Sequence, residues 1–342
     1  MSSNTVPGAC SERLGANSLE RRGKALHQPA WHWYRTCGLT IRSQLEIPEL
    51  VAIDPHSGDP DGAEIVLGKV PQTLANGREL TPWLQTNDRQ CLVGSPNIAR
   101  YLIEDGKRIT LDRRVQAQPK HNAADGDVRT YLLGTVLGAL LHQRQWLPLH
   151  ISAVKTASGI VAFTGASGAG KSTLTACLHY RLGLPLFSDD LAVLKPEDRT
   201  YLLYPGPPRL KLWSSALDAL GLSKEGLVRD LAREDKFHLQ QKDDLQSEPE
   251  PLDKLVILTR AEPGRSTDIR RIRGIEAYQA FMHSIYRPAL CHLFFDQTAV
   301  HDFGGRILGA IEVYEYRRPW NLSELRPSLE KLVGTLSMEE VS

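Results

Sequence analysis

One short segment constrains the fold of this chain more than any other: residues 165–172 read GASGAGKS. The segment satisfies the pattern G-x-x-x-x-G-K-[ST], in which glycines let successive backbone N–H groups curl around a phosphate without Cβ clashes. The apolar run GIVAFT before it predicts a strand, and STLTACLHYRL after it predicts a helix. A strand, a glycine-rich loop and a helix in this order predict a phosphate-binding loop.

The residues of this loop have separate predicted tasks. The helix that starts at Lys171 presents the positive end of its dipole to a phosphate. Lys171 supplies a positive charge for the β- and γ-phosphates of ATP, and the hydroxyl of Ser172 is suited to Mg²⁺. A glycine-rich turn with no ligand is the alternative, but the flanking strand and helix argue against it. The predicted nucleotide contacts are Gly165, Ala166, Ser167, Gly168, Ala169, Gly170, Lys171, Ser172 and Thr173.

Two adjacent carboxylates follow the next predicted strand, LPLFS at 184–188. If this strand lies parallel to residues 160–164, as a right-handed crossover requires, Asp189 and Asp190 come to the sheet edge that carries the phosphate loop. One carboxylate can hold Mg²⁺ while the other accepts a proton from an attacking hydroxyl. We assign the metal to Asp189, together with Ser172, and the proton to Asp190. The reverse assignment and a purely structural turn stay open.

His150 is the third candidate. Residues 148–154 and 159–165 flank the turn KTAS and predict a β-hairpin. Counting back from that turn places His150 opposite Gly165, so its imidazole would lie beside the phosphate loop. A single histidine more often has a structural role, and the predicted register is what favours a functional one here.

Two cations alternate with leucines in the segment PGPPRLKLW. In a strand, Arg209 and Lys211 would share one face and the leucines the other. On that face the cations could neutralise negative charge that develops on a phosphate in the transition state. A merely solvated face is the alternative. Lys236 and Arg287 are further candidates for the same role.

The chain as a whole predicts an α/β protein in two parts behind a polar tail. Residues 1–28 lack the apolar segment of a secretory signal and predict a disordered tail. Residues 29–127 predict a small β-rich domain, and residues 128–342 predict the domain that carries the phosphate loop. Within these parts we predict strands at 38–51, 63–70 and 107–112, a polar linker at 116–127, a helix at 128–144 and a charged loop at 240–253.

Composition bounds the class of protein. Lys+Arg number 41 and Asp+Glu 40, a formal net charge of +1, which gives no basic footprint for nucleic acid. The five cysteines include no CxxC pair, so neither a zinc site nor a disulfide framework is indicated. The longest apolar run, 131–141, is too short to span a bilayer. We expect a soluble cytoplasmic protein with no nucleic-acid or membrane partner, and we leave open whether it forms a homo-oligomer.

Three segments resemble the catalytic domain of HPr kinase/phosphorylase: GTVLGALLHQRQWLPLHISAV, FTGASGAGKST and LPLFSDDLAVL. With YPGPPRLKLW, they resemble more closely the HPr-kinase-like proteins of bacterial biosynthetic gene clusters, including those for lasso peptides. The resemblance is best over residues 128–215. It implies a PEP-carboxykinase-like P-loop kinase fold and transfer of the γ-phosphoryl group of ATP to a serine hydroxyl. It also implies that Lys171 and Ser172 are the loop lysine and the metal-side hydroxyl, that Asp189 and Asp190 are the acidic pair, and that His150 is the histidine before the loop strand.

Two features depart from the HPr kinase pattern. Thr173 stands where that kinase has an acidic residue, and the glycine-rich C-terminal signature associated with docking HPr is not found here. Both argue against HPr as the acceptor. The sequence therefore predicts a kinase that phosphorylates a serine-type hydroxyl of a peptide, a protein or a small metabolite. A non-catalytic ATP-binding switch that serves a peptide-biosynthesis system is the alternative, whereas an ATPase motor would need an LSGGQ-like signature.

Overall fold

A computed structural model of the chain describes residues 30–55, 61–95, 98–113, 125–197, 200–230, 235–240, 248–262, 266–319 and 325–338. These residues form a mixed α/β protein, as the sequence predicts. The predicted tail at 1–28 lies outside the described residues, as does most of the predicted linker at 116–127. Among the residues described, no helix combines the length and the apolar character that crossing a bilayer requires.

A nine-stranded sheet forms the N-terminal part of the fold. Its strands are β1 (His32–Thr36), β2 (Leu39–Ser43), β3 (Val51–Ala52), β4 (Ala63–Leu67), β5 (Arg78–Thr81), β6 (Leu84–Thr86), β7 (Gln90–Ser95), β8 (Ala99–Glu104) and β9 (Arg108–Asp112). They lie in the order β3-β1-β2-β4-β9-β8-β7-β6-β5. Pairing is antiparallel except that β4 lies parallel to both β2 and β9.

The remaining strands form a second nine-stranded sheet and a small three-stranded one. They are β10 (Leu147–Leu149), β11 (Ser152–Thr156), β12 (Gly159–Thr164), β13 (Leu186–Asp189), β14 (Ala192–Glu197), β15 (Thr200–Pro205), β16 (Arg209–Trp213), β17 (Val228–Arg229), β18 (Lys236–Gln240), β19 (Glu250–Arg260), β20 (Asp268–Ile272) and β21 (Glu312–Arg318). The large sheet has the order β10-β14-β15-β19-β12-β11-β13, with β21 paired to β19 and β20 to β21; the small sheet has the order β16-β18-β17. In the centre of the large sheet, β12, β19 and β21 run parallel.

The helices are α1 (Asp125–Tyr131), α2 (Leu137–Gln143), α3 (Lys171–Leu182), α4 (Ser214–Leu220), α5 (Gly274–Ser284), α6 (Pro288–Phe294), α7 (Gln297–Ala310) and α8 (Leu325–Leu336). A π-helical turn, Leu132–Val136, joins α1 to α2. The predicted helix at 128–144 is therefore helical up to Gln143, but its hydrogen-bond pattern changes in the middle.

The segment from α1 to α2 packs on the N-terminal sheet. Its buried side chains, such as Leu133 and Leu140, join one apolar cluster with Ile41 and Ile103 of that sheet. Burial of a leucine side chain of this kind stabilises the fold by roughly 1.5–3 kcal/mol. Trp31–Ser342 forms one compact unit, and the predicted domain boundary before residue 128 stays a prediction.

Two predicted boundaries are wrong. The strand expected at 38–51 ends at Ser43, because the Ser43 hydroxyl donates to the carbonyl of Leu45 and accepts its N–H, which closes a turn. The charged loop expected at 240–253 is too long. Glu250 already belongs to β19, whose Leu252 is buried and pairs with Ile160 of β12.

Candidate active site

The phosphate loop has the backbone conformation that its glycines predict. Gly165, Gly168 and Gly170 have φ values of 140°, 80° and 83°, where side chains other than hydrogen are strained. Space also requires glycine, since a Cβ at Gly165 would lie 2.8 Å from the carbonyl oxygen of Leu258. At Gly170 a Cβ would lie 2.7 Å from Nη2 of Arg318. The loop can therefore pass close to its neighbours and expose its backbone.

The loop and the start of α3 supply donors suited to a polyphosphate. Gly170 is the N-cap of α3, and no side chain caps this end of the helix. The N–H of Leu174 is the first to bond within the helix, to the carbonyl of Gly170, so the preceding N–H groups have no helical acceptor. Lys171 curls back, and its Nζ donates to the carbonyls of Gly165 at 2.9 Å and Ala166 at 3.3 Å. N–H groups without a helical acceptor and a lysine ammonium thus belong to one loop and helix start, a combination suited to phosphate.

The remaining loop residues differ in exposure. Ala166, Ser167 and Gly168 are exposed, whereas Ala169 is buried beneath the loop. Ser172 and Thr173 are half-buried in the first turn of α3. The exposed part of the loop is thus available to a ligand, and the buried part fixes its shape.

The sheet brings the two aspartates to the edge that carries the loop. β11 lies between β12 and β13 and is antiparallel to both, so β12 and β13 run parallel, as predicted. They are not neighbours, however, because the hairpin strand separates them. Ser152 of β11 pairs with Phe163 on one side and with Asp189 on the other. The carboxyl ends of β12 and β13 therefore flank the start of β11.

A bend after β13 gives the two aspartates different surroundings. Asp190 has a φ of 73°, in the left-handed region that aspartate tolerates better than most side chains. Ser188 fixes the bend, since its hydroxyl donates to the carbonyl of Leu191 and accepts the N–H of Gly206. Asp189, in contrast, remains within the strand.

Asp189 is buried and held on both oxygens. Its Oδ1 accepts the hydroxyl of Ser152 at 2.5 Å, and its Oδ2 accepts the backbone N–H of Lys211 at 2.8 Å. These bonds join β13 to β11 and β16. No hydrogen bond links Asp189 to Ser172 in the described part of the chain, and the metal role of this pair stays a prediction.

Asp190 faces the cleft between two basic side chains. Nζ of Lys211 donates to its Oδ2 at 2.9 Å, and Nδ1 of His150 lies 3.5 Å from its Oδ1. Burial alone would raise the pKa of Asp190, but the charge and hydrogen bond of Lys211, together with the charge of Arg209, overcome burial and hold the pKa well below its usual range. The carboxylate is therefore ionised at neutral pH and can accept a hydrogen bond from a hydroxyl.

His150 lies where the hairpin register predicts it. Ser152 pairs with Phe163, and the same register carried two residues further places His150 opposite Gly165. The predicted strand at 148–154 is interrupted at this point, because the N–H of His150 turns aside to the carbonyl of Ser284 at 2.6 Å. The chain forms two strands, β10 and β11, instead of one.

The ring of His150 is neutral at pH 7. Burial lowers its pKa, and the nearby carboxylate of Asp190 only partly opposes this effect. Nδ1 lies 3.1 Å from the backbone carbonyl of Asp190, and a carbonyl only accepts, so Nδ1 carries the proton. Nε2 is therefore the unprotonated nitrogen, and the ring holds the bend that presents Asp190.

A second carboxylate, Asp230, extends this charge network. Its Oδ1 lies 3.4 Å from Nζ of Lys211 and 2.5 Å from Nε2 of His238. Strands β16 and β18 pair Lys211 directly with His238. Lys211 is thus a buried cation between two carboxylates, an arrangement that compensates its charge. Sequence reasoning missed Asp230 and His238, because only the pairing of distant strands brings them to Lys211.

Arg209 and Lys211 share one face of β16, as predicted, while Leu210 and Leu212 pack in an apolar cluster. The solvated-face alternative is wrong, since Arg209 and Lys211 are only 2% and 7% exposed. Lys211 lines the cleft, whereas Arg209 is enclosed and its Nη1 has no hydrogen-bond partner among the described residues.

The cleft that these groups line has a volume of about 670 Å³. Phosphate-loop residues, His150, Asp190 and Lys211 lie in its lining, together with the two further candidates Lys236 and Arg287. Asp230 also lines it, and the rest of the lining comes from the region of the π-helical turn and from the segment around the α5–α6 junction: Thr130, Tyr131, Gly134, Thr135, His283, Ile285, Tyr286 and Pro288. The phosphate loop and five further sequence-predicted side chains therefore line one cleft, with a wall that the sequence did not predict.

Arg318 is a buried cation beside the phosphate loop that was not among the sequence-predicted residues. It ends β21, is 4% exposed, and its Nη2 lies 3.4 Å from the carbonyl of Ala169. Burial lowers its pKa, and its Nε has no hydrogen-bond partner in the described part of the chain. Arg318 thus supports the phosphate loop from below.

The donor set also bears on a metal ion. No group of three or more His, Cys, Asp or Glu side chains that could hold a metal occurs among the described residues. A Mg²⁺ that arrives with ATP takes most of its oxygen ligands from phosphates and water, and needs only one or two protein groups. Ser172 and one of the two aspartates could supply them.

Comparisons with known proteins give a likeness among solved structures only. No family model matches the chain, and no curated protein matches it. Among solved structures, the Hpr(Ser) kinase/phosphatase from Coxiella burnetii is similar at 13% sequence identity and a TM-score of 0.28. The match covers 56% of this chain and 97% of that one.

Proposed function

We propose that this protein is an ATP-dependent kinase that transfers the γ-phosphoryl group to a serine-type hydroxyl of a peptide, a protein or a small molecule. The observation that carries the proposal is the position of Asp190, an ionised carboxylate in the cleft that the phosphate loop also lines. A non-catalytic switch would need the loop but no such carboxylate beside it. The proposal includes the P-loop kinase fold that the resemblance to HPr kinase/phosphorylase implies.

The proposed reaction assigns each group one task. Backbone N–H groups of the loop and Lys171 hold the β- and γ-phosphates, and Asp190 accepts a hydrogen bond from the acceptor hydroxyl. The hydroxyl oxygen forms a bond to the γ-phosphorus, the bond from that phosphorus to the β-phosphate oxygen breaks, and ADP leaves while Asp190 takes the proton. Lys211 and His150 orient Asp190. Mg²⁺, bound by Ser172 and an aspartate, would neutralise phosphate charge.

The test removes the proposed base and keeps its shape. Asp190→Asn should lower phosphoryl transfer by about 10²–10⁴-fold, the usual loss for a general base, because an amide cannot take the proton. Binding of ATP should survive in Asp190→Asn and be lost in Lys171→Ala. Transfer is measured with γ-labelled ATP and candidate hydroxyl acceptors, and ATP affinity by calorimetric titration.

Asp302→Asn is the matched control, since Asp302 is an exposed residue of α7 outside the cleft. It should transfer phosphate at the parental rate. If Asp190→Asn also does so, Asp190 is structural and the kinase proposal loses its mechanism. If the parent binds ATP but phosphorylates no hydroxyl acceptor, a non-catalytic ATP-binding switch becomes the better-supported function.

A further inference from the structure

Arg287 is a cation of the cleft that the proposed reaction does not use. It lies between α5 and α6 and is exposed. Among the described residues it forms no ion pair; its Nη2 donates to the hydroxyl of Thr135 at 2.8 Å. Its guanidinium carbon lies 5.7 Å from the ring centres of both Trp83 and Tyr286. An arginine whose neighbours are a hydroxyl and two rings keeps its charge for a ligand.

The backbone around Arg287 is fixed from both sides. The N–H of Tyr286 donates to the carbonyl of Pro148 at 2.8 Å, and Nε2 of His142 donates to the carbonyl of Tyr286 at 2.7 Å. Arg287 itself has φ 51° and ψ 62°, a left-handed conformation that arginine seldom adopts. Such strain persists only where the surroundings impose it, so the backbone at Arg287 is fixed before any ligand binds.

The partner of Arg287 belongs to a second unusual element. Thr135 lies in the π-helical turn, a pattern that occurs mostly as single turns and often at functional sites. Gly134 and Gly138 let the ring of Tyr286 lie against this helix, since Cβ atoms there would be 3.3 Å and 2.8 Å from Tyr286. Arg287, the ring of Tyr286 and the π-helical turn therefore form one packed unit on the wall of the cleft.

This unit stands beside the proposed base. The rings of Tyr286 and His150 have centroids 5.8 Å apart, and His150 contacts Asp190. The side chains that contact Arg287 are Thr135 of the π-helical turn, its neighbour Tyr286, and Trp83 from the turn between β5 and β6. Arg287 thus lines the same cleft as Asp190, on the wall that the π-helical turn and the segment between α5 and α6 form.

We propose that Arg287 binds a carboxylate that the acceptor carries close to the hydroxyl to be phosphorylated. The substrate class would then be acidic acceptors, such as a peptide with aspartate or glutamate near its serine. A guanidinium fork matches a carboxylate with two parallel hydrogen bonds, which also fixes the direction of the acceptor. This inference rests on the proposed kinase function.

The test compares two short peptides that contain one serine and differ only in an aspartate or an asparagine beside it. The parent should have a KM for the acidic peptide about tenfold lower or more, as expected for a charge-assisted hydrogen bond. Arg287→Gln should abolish this preference and leave the KM for ATP unchanged, and Arg287→Lys should restore part of it. Arg306→Gln, at an exposed arginine of α7, is the matched control and should keep the preference.

Equal KM values for the two peptides in the parent overturn the inference, as does a rise in the KM for ATP in Arg287→Gln, which would place the cation on the nucleotide. Binding of the same labelled peptides, measured by fluorescence anisotropy with a non-hydrolysable ATP analogue, separates the two proposals. If neither peptide is phosphorylated but the acidic one binds more tightly through Arg287, Arg287 is a carboxylate-binding residue and the kinase proposal fails. If transfer occurs without an acidic preference, only the inference fails.

Discussion

At the residue scale, one bend gives two neighbouring aspartates different environments. Asp189 stays in β13, buried, with a donor on each oxygen. Asp190 enters the left-handed region and faces the cleft beside Lys211. Ser188 holds the bend through hydrogen bonds with the carbonyl of Leu191 and the N–H of Gly206. The different surroundings of the two aspartates therefore follow from the backbone and do not depend on a ligand.

Substitutions of Asp189 separate its structural bonds from its charge. Asp189→Ala should lower the free energy of unfolding by about 1–3 kcal/mol, because the buried N–H of Lys211 loses its acceptor. Asp189→Asn keeps a carbonyl for that N–H, and the hydroxyl of Ser152 can turn to accept from the amide, so stability should be nearly parental. If Asp189 is a metal ligand, phosphoryl transfer by Asp189→Asn should fall and recover at higher Mg²⁺. Urea unfolding and transfer rates over a Mg²⁺ series measure both. Recovery in Asp190→Asn instead would show that the two roles are reversed.

What the sequence could predict at this scale depends on the distance between partners. His150 could be placed opposite Gly165, because both belong to one hairpin and a hairpin register can be counted from its turn. Asp230 and His238 could not be placed beside Lys211, because α4 and β17 come between β16 and β18 in the sequence, and their pairing cannot be counted from one turn. The burial of Arg209 was missed for the same reason, since its neighbours lie on other strands.

At the element scale, the prediction was best where the pattern is local. The strand, loop and helix of the phosphate site were all predicted, and α3 ends at Gly183 as its left-handed C-cap requires. The π-helical turn was not predicted, because its apolar residues fit an ordinary helix equally well. Its shape reflects packing against Tyr286, a contact from a distant part of the chain.

Gly138 tests that packing. In a helix interior, glycine to alanine normally stabilises by roughly 0.5–1 kcal/mol. At Gly138 the sign should reverse, because the new Cβ would lie 2.8 Å from ring atoms of the buried Tyr286, which must then shift. Gly305→Ala is the matched control: Gly305 lies within α7 and a Cβ there meets nothing within 4 Å. Thermal unfolding should show a lower Tm for Gly138→Ala and an equal or higher Tm for Gly305→Ala. A higher Tm for both would mean that Tyr286 is not held against the helix.

At the scale of the whole molecule, buried histidines make the fold sensitive to mild acid. Burial lowers the pKa of His142 from 6.5 to about 4, and it lowers the pKa of His150 and of His238 as well. His142 is fully buried and bonded through Nε2 to the carbonyl of Tyr286, so the folded protein keeps it neutral. The unfolded chain, in contrast, takes up a proton as the pH falls below about 6.5.

Stability should therefore fall as the pH is lowered from about 6.5 towards 4, because the unfolded state binds more protons in that window. For His142 alone the loss approaches roughly 3 kcal/mol at the lower end. Asp190 and Asp230, whose folded-state pKa values are held below the usual range, add to the loss only below about pH 5, where the carboxyls of the unfolded chain begin to take up protons. His142→Gln keeps a donor for the carbonyl of Tyr286 and removes the titration, so its free energy of unfolding should depend less steeply on pH. Urea unfolding of parent and variant at pH 7 and pH 5 measures the difference. Parallel pH profiles would show that His142 is not the group that takes up the proton.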